Sequence, residues 1–190
     1  INCGVEVFDR ADSTEEFQAM FSVRGKALYT KMDFLFKMIG EILNSSKLED
    51  TKRLYEIVAS VKSRAQVNLT GAGHSTAVLR AAAYSSPMAA FQDEMAGIGY
   101  YQFIEKLEKD FEQRKEKTVE ELCKLMKKIL RPENFMISYT GERESLETVQ
   151  KLAGTVKAGL GTEPVEKSKE KLTCTKKNEV WETREIPLSD

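Results

Sequence analysis

Leu79-Arg-Ala-Ala-Ala-Tyr-Ser-Ser-Pro-Met-Ala-Ala-Phe-Gln-Asp-Glu-Met-Ala-Gly97 reads as the end of one helix and the whole of the next. The run from Ser75 to Tyr84 is rich in alanine, the strongest helix former, and its small side chains let a neighbouring element come close. Ser85-Ser86-Pro87 supplies a serine N-cap and then a proline at the first helical position, where its missing N–H has no intrahelical partner to lose. The helix that follows carries Met88, Phe91 and Met95 and stops near Gly97.

Toward the C-terminus, Gly99 marks a turn, and Phe103, Ile104, Leu107 and Phe111 return at helical spacing. Thr118-Val-Glu-Glu121 has the form of a capping box opening a helix with Leu122, Met126 and Ile129, closed by Pro132. Phe135, Ile137 and Tyr139 alternate with Met136 and Ser138, which predicts a short strand from Phe135 to Thr140. Gly141 leads into a helix with Leu146, Val149, Leu152, Ala153 and Val156, ended by Gly159 and Gly161. Residues 162–179 are polar and lysine-rich, with Pro164, and read as an exposed linker. Val180 to Leu188 is expected to be a last extended segment around the only tryptophan, Trp181.

Toward the N-terminus, Thr70-Gly-Ala-Gly73 ends or bends a long helix that starts near Asp50 and lines up Leu54, Ile57, Val58, Val61, Ala65 and Leu69. Asn44-Ser-Ser46 breaks an earlier helix over 28–44 with Leu28, Met32, Leu35, Phe36, Ile39, Ile42 and Leu43 in a broad stripe. Before it the period is two. Cys3, Val5 and Val7 share one face, a polar turn runs from Asp9 to Ser13, and Ala19, Phe21 and Val23 alternate with Met20, Ser22 and Arg24 up to Gly25. That is a hairpin.

The sum is an α+β fold: a few antiparallel strands with five to seven helices, the long helices at about 28–44 and 50–70 packing on one face of the sheet. The domain is expected over 1–161, with 162–190 as linker and extended segment. So few strands for so much helix, together with a first residue Ile1 and no leader pattern, suggest a piece of a longer polypeptide whose sheet lies partly elsewhere.

With 190 residues, 41% hydrophobic and 31% charged, the chain can build one ordinary core. Its 29 basic and 30 acidic residues leave a net charge of −1, so no global field steers it to nucleic acid or to an anionic membrane, and neither is expected as a partner. Cys3, Cys123 and Cys174 are odd in number and far apart, and read as free thiols. The sequons at Asn44 and Asn68 fall in or at the ends of helices and read as chance.

Catalytic chemistry finds little to use. His74 is the only histidine, so no His-x-x-Glu-His motif or its inverse can exist. In Gly71-Ala-Gly-His-Ser75 it reads as a helix-end residue rather than the base of a nucleophilic pair. Neither Gly71/Gly73 nor Gly97-Ile-Gly-Tyr-Tyr101 follows a strand or precedes a lysine as a phosphate loop requires. Glu105, Glu108, Asp110 and Glu112, interleaved with Lys106 and Lys109, read as a solvated helix face with i,i+4 pairs. Tyr100 and Tyr101 beside Phe103 line either a binding surface or a core. No catalytic residue, metal ligand or cofactor is assigned to this chain, which is expected to be inactive alone.

Three ordered stretches carry a family resemblance: Ser63-Arg-Ala-Gln-Val-Asn-Leu-Thr-Gly-Ala-Gly-His-Ser75, Leu79 to Phe91, and Asp93-Glu-Met-Ala-Gly-Ile-Gly-Tyr-Tyr-Gln-Phe-Ile104. In this order they resemble the associated region of the presequence-protease and falcilysin branch of the pitrilysin/insulinase zinc metallopeptidases. The resemblance covers about residues 1–188. It implies the first domain of a C-terminal half that holds no zinc but helps wall a peptide-binding chamber, an incomplete copy of the pitrilysin-type domain. Zinc would be bound elsewhere in the parent. The implied partners are the N-terminal catalytic half, the following domain of the same polypeptide, and a peptide substrate. The implied location is the bacterial cytoplasm, or an organelle in a eukaryote. His74, Tyr84, Tyr100 and Tyr101 are the candidates for lining the chamber or a domain interface. The alternatives are a free-standing interaction or scaffold domain using an aromatic patch near Tyr100 and Tyr101, and part of an inactive peptidase homologue.

Overall fold

The alternating N-terminal segments form the sheet: β1 (Asn2–Arg10) and β2 (Ser13–Arg24) pair as a two-stranded antiparallel hairpin. The computed structural model describes residues 1–10, 13–162 and 181–183. Among these, seven α-helices follow the hairpin, so the chain is α+β and mostly helical. They are α1 (Met32–Ser45), α2 (Thr51–Gly71), α3 (Gly73–Ala82), α4 (Pro87–Ala96), α5 (Ile98–Lys109), α6 (Phe111–Ile129) and α7 (Leu146–Ala158).

The chain folds as two units. The first comprises Ile1–Val5, Phe21–Glu49 and the described residues from Lys117 to 162. Here α1 packs along α7, and Met32, Val149, Ala153, Val156 and Leu160 are buried. Their spacing on α7 is three to four residues, which puts one apolar stripe on the side that faces α1.

The second unit comprises Glu6–Met20, Asp50–Glu116 and residues 181–183. Asp50 caps α2, its carboxylate accepting the Arg53 N–H at 3.0 Å. α2 lies along α5, and α4 joins α3 to α5 in a tight zigzag. Val58, Ile104, Leu107 and Phe111 form the core, with Leu54, Val61 and Tyr100 packed around it. The Tyr55 and Phe111 rings lie 5.3 Å apart. Within the same unit, Phe17 of β2 reaches Phe91 of α4 at the same centroid distance of 5.3 Å. The leading partner of each long helix is therefore another helix, α7 for α1 and α5 for α2.

Several expectations change. Residues 135–140 are not a strand: α6 is followed by a 3₁₀ turn at Pro132–Asn134, and the segment beyond has no ladder. Alternation marks a face, but a strand also needs a neighbour for its N–H and C=O groups, and Met136 (72% exposed) has no cover either. Thr118 to Glu121 lies inside α6 instead of opening a helix. No breaker separates Phe111 from Ile129, and Lys117–Glu121 at 3.7 Å and Lys124–Glu120 at 2.5 Å support a continuous helix by i,i+4 pairing. α4 stops at Gly97, as its sequence predicts, with an extended backbone there, but Gly99 marks no turn of its own and already belongs to the first turn of α5. The helix expected from Leu28 begins at Met32, after a 3₁₀ turn at Tyr29–Lys31.

Ser86 caps α4 with Pro87 at its first position, as its sequence predicts. The linker over 162–179 and most of the extended segment from Val180 to Leu188 lie outside the described residues, and 181–183 have no regular structure. Cys3 is exposed and Cys123 half-buried, both unbridged; Cys174 lies outside the described residues. Among the described residues no helix is long and apolar enough to cross a membrane.

Candidate functional site

A buried carboxylate organises the junction of α3, α4 and α5. Asp93 sits in the last turns of α4, only 1% exposed. Its Oδ1 accepts the Ile98 N–H at 3.1 Å and its Oδ2 accepts the Gly99 N–H at 3.2 Å. These are orphan donors of the first turn of α5, so one helix supplies the N-terminal cap of the next, and the negative charge lies at the positive end of the α5 dipole. The approach is close enough to exclude a side chain at either glycine. A Cβ on Gly97 would collide with Asp93 Oδ1 and lie 2.9 Å from its Cα, and one on Gly99 would lie 2.9 Å from Oδ2. Neither glycine has a positive φ, so space rather than backbone freedom demands them.

Arg80, near the end of α3, completes the charge balance. Its Nη1 donates to Asp93 Oδ2 at 2.7 Å. Its other edge points to Glu182: Nε donates to Oε2 at 2.9 Å and Nη2 to Oε1 at 3.3 Å, a forked contact that fits the planar guanidinium to a carboxylate. Tyr84 Oη also donates to Glu182 Oε2, at 2.8 Å, and the Arg80 guanidinium carbon lies 5.3 Å from the Tyr84 ring centre. The hydrogen bond to Glu182, then that to Asp93, lifts the Arg80 pKa above its ordinary value against the opposing effect of burial. The Tyr84 hydroxyl is also pushed up, first by its hydrogen bond to Glu182, and so stays a protonated donor. The cluster is built to hold a carboxylate.

A second polar cluster borders the α2–α5 contact. Lys62 Nζ donates to Glu108 Oε2 at 2.6 Å, and Tyr101 Oη donates to Glu105 Oε1 at 2.9 Å. Lys62 is raised above its ordinary pKa, chiefly by the hydrogen bond to Glu108 and against burial. Burial first, then the bond to Glu105, pushes the Tyr101 hydroxyl up. An open groove of about 720 Å³ runs past Lys62, Glu105, Lys106, Glu108, Lys109 and Asp110. Glu108 thus takes its partner from α2 rather than from its own helix.

The four sequence candidates do not converge. His74 is exposed in the first turn of α3. Tyr84 belongs to the Arg80 cluster. Tyr101 is 6% exposed in the core of the second unit, and Tyr100 is half-buried against that core. Arg80, Asp93 and Glu182 escape sequence reasoning. The available signal is a carboxylate followed at plus four and plus six by Gly97 and Gly99. Nothing in the sequence relates Arg80 to Glu182, 102 residues away. Among the described residues no three His, Cys, Asp or Glu side chains gather in a group that could hold a metal ion.

Comparison with known proteins adds the family. Residues 1–107 match the family described as Peptidase M-16C associated. The chain is 26% identical over 179 residues to protein HypA of Clostridium perfringens, covering 94% of this chain and 18% of that protein. It is 25% identical over 151 residues to presequence protease 1, chloroplastic/mitochondrial, of Arabidopsis thaliana (78% of this chain, 14% of that protein). It is 28% identical over 97 residues to the mitochondrial presequence protease of Yarrowia lipolytica (51% of this chain, 10% of that protein). The chain therefore spans less than a fifth of the length of these relatives. The resemblance carried by the stretches between Ser63 and Ile104 holds, and the chain belongs to the Peptidase M-16C associated family.

Proposed function

We propose that this chain is the zinc-free, peptidase-associated domain of a zinc metallopeptidase that degrades peptides, where it helps to wall the substrate chamber. The match of residues 1–107 to the peptidase-associated family carries this reading. The names of the Arabidopsis and Yarrowia relatives, and their much greater length, support a presequence-protease-like parent in which zinc and its activated water sit on another segment. The partners are then the catalytic half and the following domain of the same polypeptide, together with an unstructured peptide. The compartment is the bacterial cytoplasm, or an organelle if the source is a eukaryote.

The parent's reading frame and activity test this. An inverted His-x-x-Glu-His motif is expected upstream of Ile1. The full-length parent should bind zinc and cleave an unstructured peptide, and the 190-residue chain alone should do neither. Stoichiometric zinc with robust turnover by the chain alone overturns the reading. So does a reading frame that starts near Ile1 and stops near Asp190.

A further inference from the structure

We propose that Arg80 and Tyr84, held from behind by Asp93, form an exchangeable binding site for an acidic peptide side chain, and that Glu182 of this chain is its resident ligand. The argument starts from charge. Arg80 and Asp93 already neutralise each other across a 2.7 Å contact, and Asp93 is almost fully buried while spending both oxygens on Ile98, Gly99 and Arg80. Charge balance of the buried pair is complete without Glu182, which brings a second carboxylate to the same guanidinium.

The geometry is that of a receptor and ligand. The Nε and Nη2 edge of Arg80 and the Tyr84 hydroxyl converge on one carboxylate from the same side of the helix end. Because Asp93 fixes the other edge, Arg80 keeps its orientation whether or not Glu182 is in place, and a preorganised fork loses little entropy on binding. The two halves differ in access. The Asp93 side chain is 2% exposed, against 17% for Glu182 and 26% for Arg80. Glu182 arrives on residues 181–183, which have no regular structure, beside a Trp181 that is 99% exposed. This ligand comes from a point 102 residues further along the chain, and as part of the same chain it competes with an outside carboxylate at a raised local concentration.

The test uses the full 190-residue chain. In Glu182→Gln the site keeps its fold but loses its charged occupant. The NMR signal of the Arg80 Nε–H should move in this variant and return toward its original position on adding acetyl-Trp-Glu-Thr-amide in the millimolar range. The same peptide with Gln in place of Glu should leave it unmoved. The wild type, already filled in cis, should need about twofold more peptide or beyond, because an intramolecular competitor acts at an effective concentration on the order of millimolar, comparable to the affinity of the site. Arg80→Lys keeps a cation for Asp93 but removes the fork. The fluorescence anisotropy of Trp181, the only tryptophan, should fall in both variants. The proposal is overturned if Glu182→Gln fails to respond at about 10 mM peptide, where even a weak site is occupied. An equal response to the Gln peptide, an equal response of the wild type, or unchanged Trp181 anisotropy in both variants also overturns it.

Discussion

The carboxylate of Asp93 occupies the space that a side chain on Gly97 would need. Asp93 lies one helical turn before Gly97, the residue that forms the break between α4 and α5. This arrangement turns the chain sharply without exposing the first N–H groups of α5, because the residue that ends one helix caps the next.

Gly97→Ala is expected to destabilise the second unit by about 1–3 kcal/mol, the usual cost of forcing extra volume into a packed site. The atoms in the way include Asp93 Cα at 2.9 Å, which cannot swing aside as a flexible side-chain tip can. Gly73→Ala, where nothing lies within 4 Å of the added Cβ, serves as the control and should be neutral or slightly stabilising. Urea unfolding followed by circular dichroism measures both, and equal midpoints for the two variants contradict the space argument.

Asp93→Ala should cost about 3 kcal/mol, because it leaves two buried N–H donors unsatisfied and a cation without its partner. The donors are the Ile98 and Gly99 N–H groups, and the cation is Arg80. Asp93→Asn keeps an acceptor oxygen and should recover part of that loss. A variant series in which Ala and Asn behave alike would show that the charge, not the cap, sets the cost.

Phe111→Ala should cost about 3–5 kcal/mol, because the ring is 2% exposed and leaves a cavity against Tyr55 and the Val58–Ile104–Leu107 core. Phe103, one turn from Leu107 but 56% exposed, should tolerate the same change within about 0.5 kcal/mol. Thermal melts of the pair separate the buried face of the α5–α6 region from its solvated face.

Stability should fall on the alkaline side. Lys62 is held above its ordinary value of 10.5 in the folded chain by Glu108, so the native state retains a proton that the unfolded state releases. The Lys62–Glu108 contribution is therefore complete below 10.5 and disappears as pH rises through the higher folded value. Tyr101, raised from 10.0, acts in the same direction. Lys62→Met should flatten this limb, leaving the Tyr101 part. Urea midpoints from about pH 8 to pH 11 in wild type and variant check it, and parallel curves would rule out the Lys62 contribution.

Asp50→Ala should lower stability by about 1 kcal/mol, the loss of one N-cap, since its carboxylate accepts the Arg53 N–H at 3.0 Å at the start of α2. Asp50→Ser should restore most of it. Helicity and midpoint measured together will show whether the cap acts on α2 as described.

Local rules determined much of this protein by themselves. Period-two alternation placed the hairpin, and three-to-four spacing placed α1, α2, α5 and α7. Asp50, Ser86-Pro87 and Gly97 set helix ends because capping depends on atoms only a few residues apart. The ordered stretches between Ser63 and Ile104 pointed to the family found over residues 1–107. Tertiary structure decided what local pattern leaves open. Residues 135–140 alternate like a strand but find no ladder in the described chain, because a strand is stable only beside another. Thr118 looks like a cap but stays inside α6, because the chain before it is already helical. Asp93 becomes a cap and an anchor for Arg80 only once α3, α4 and α5 meet. Glu182 reaches Arg80 only through folding, because a charge pair has no sequence signature when its members are 102 residues apart.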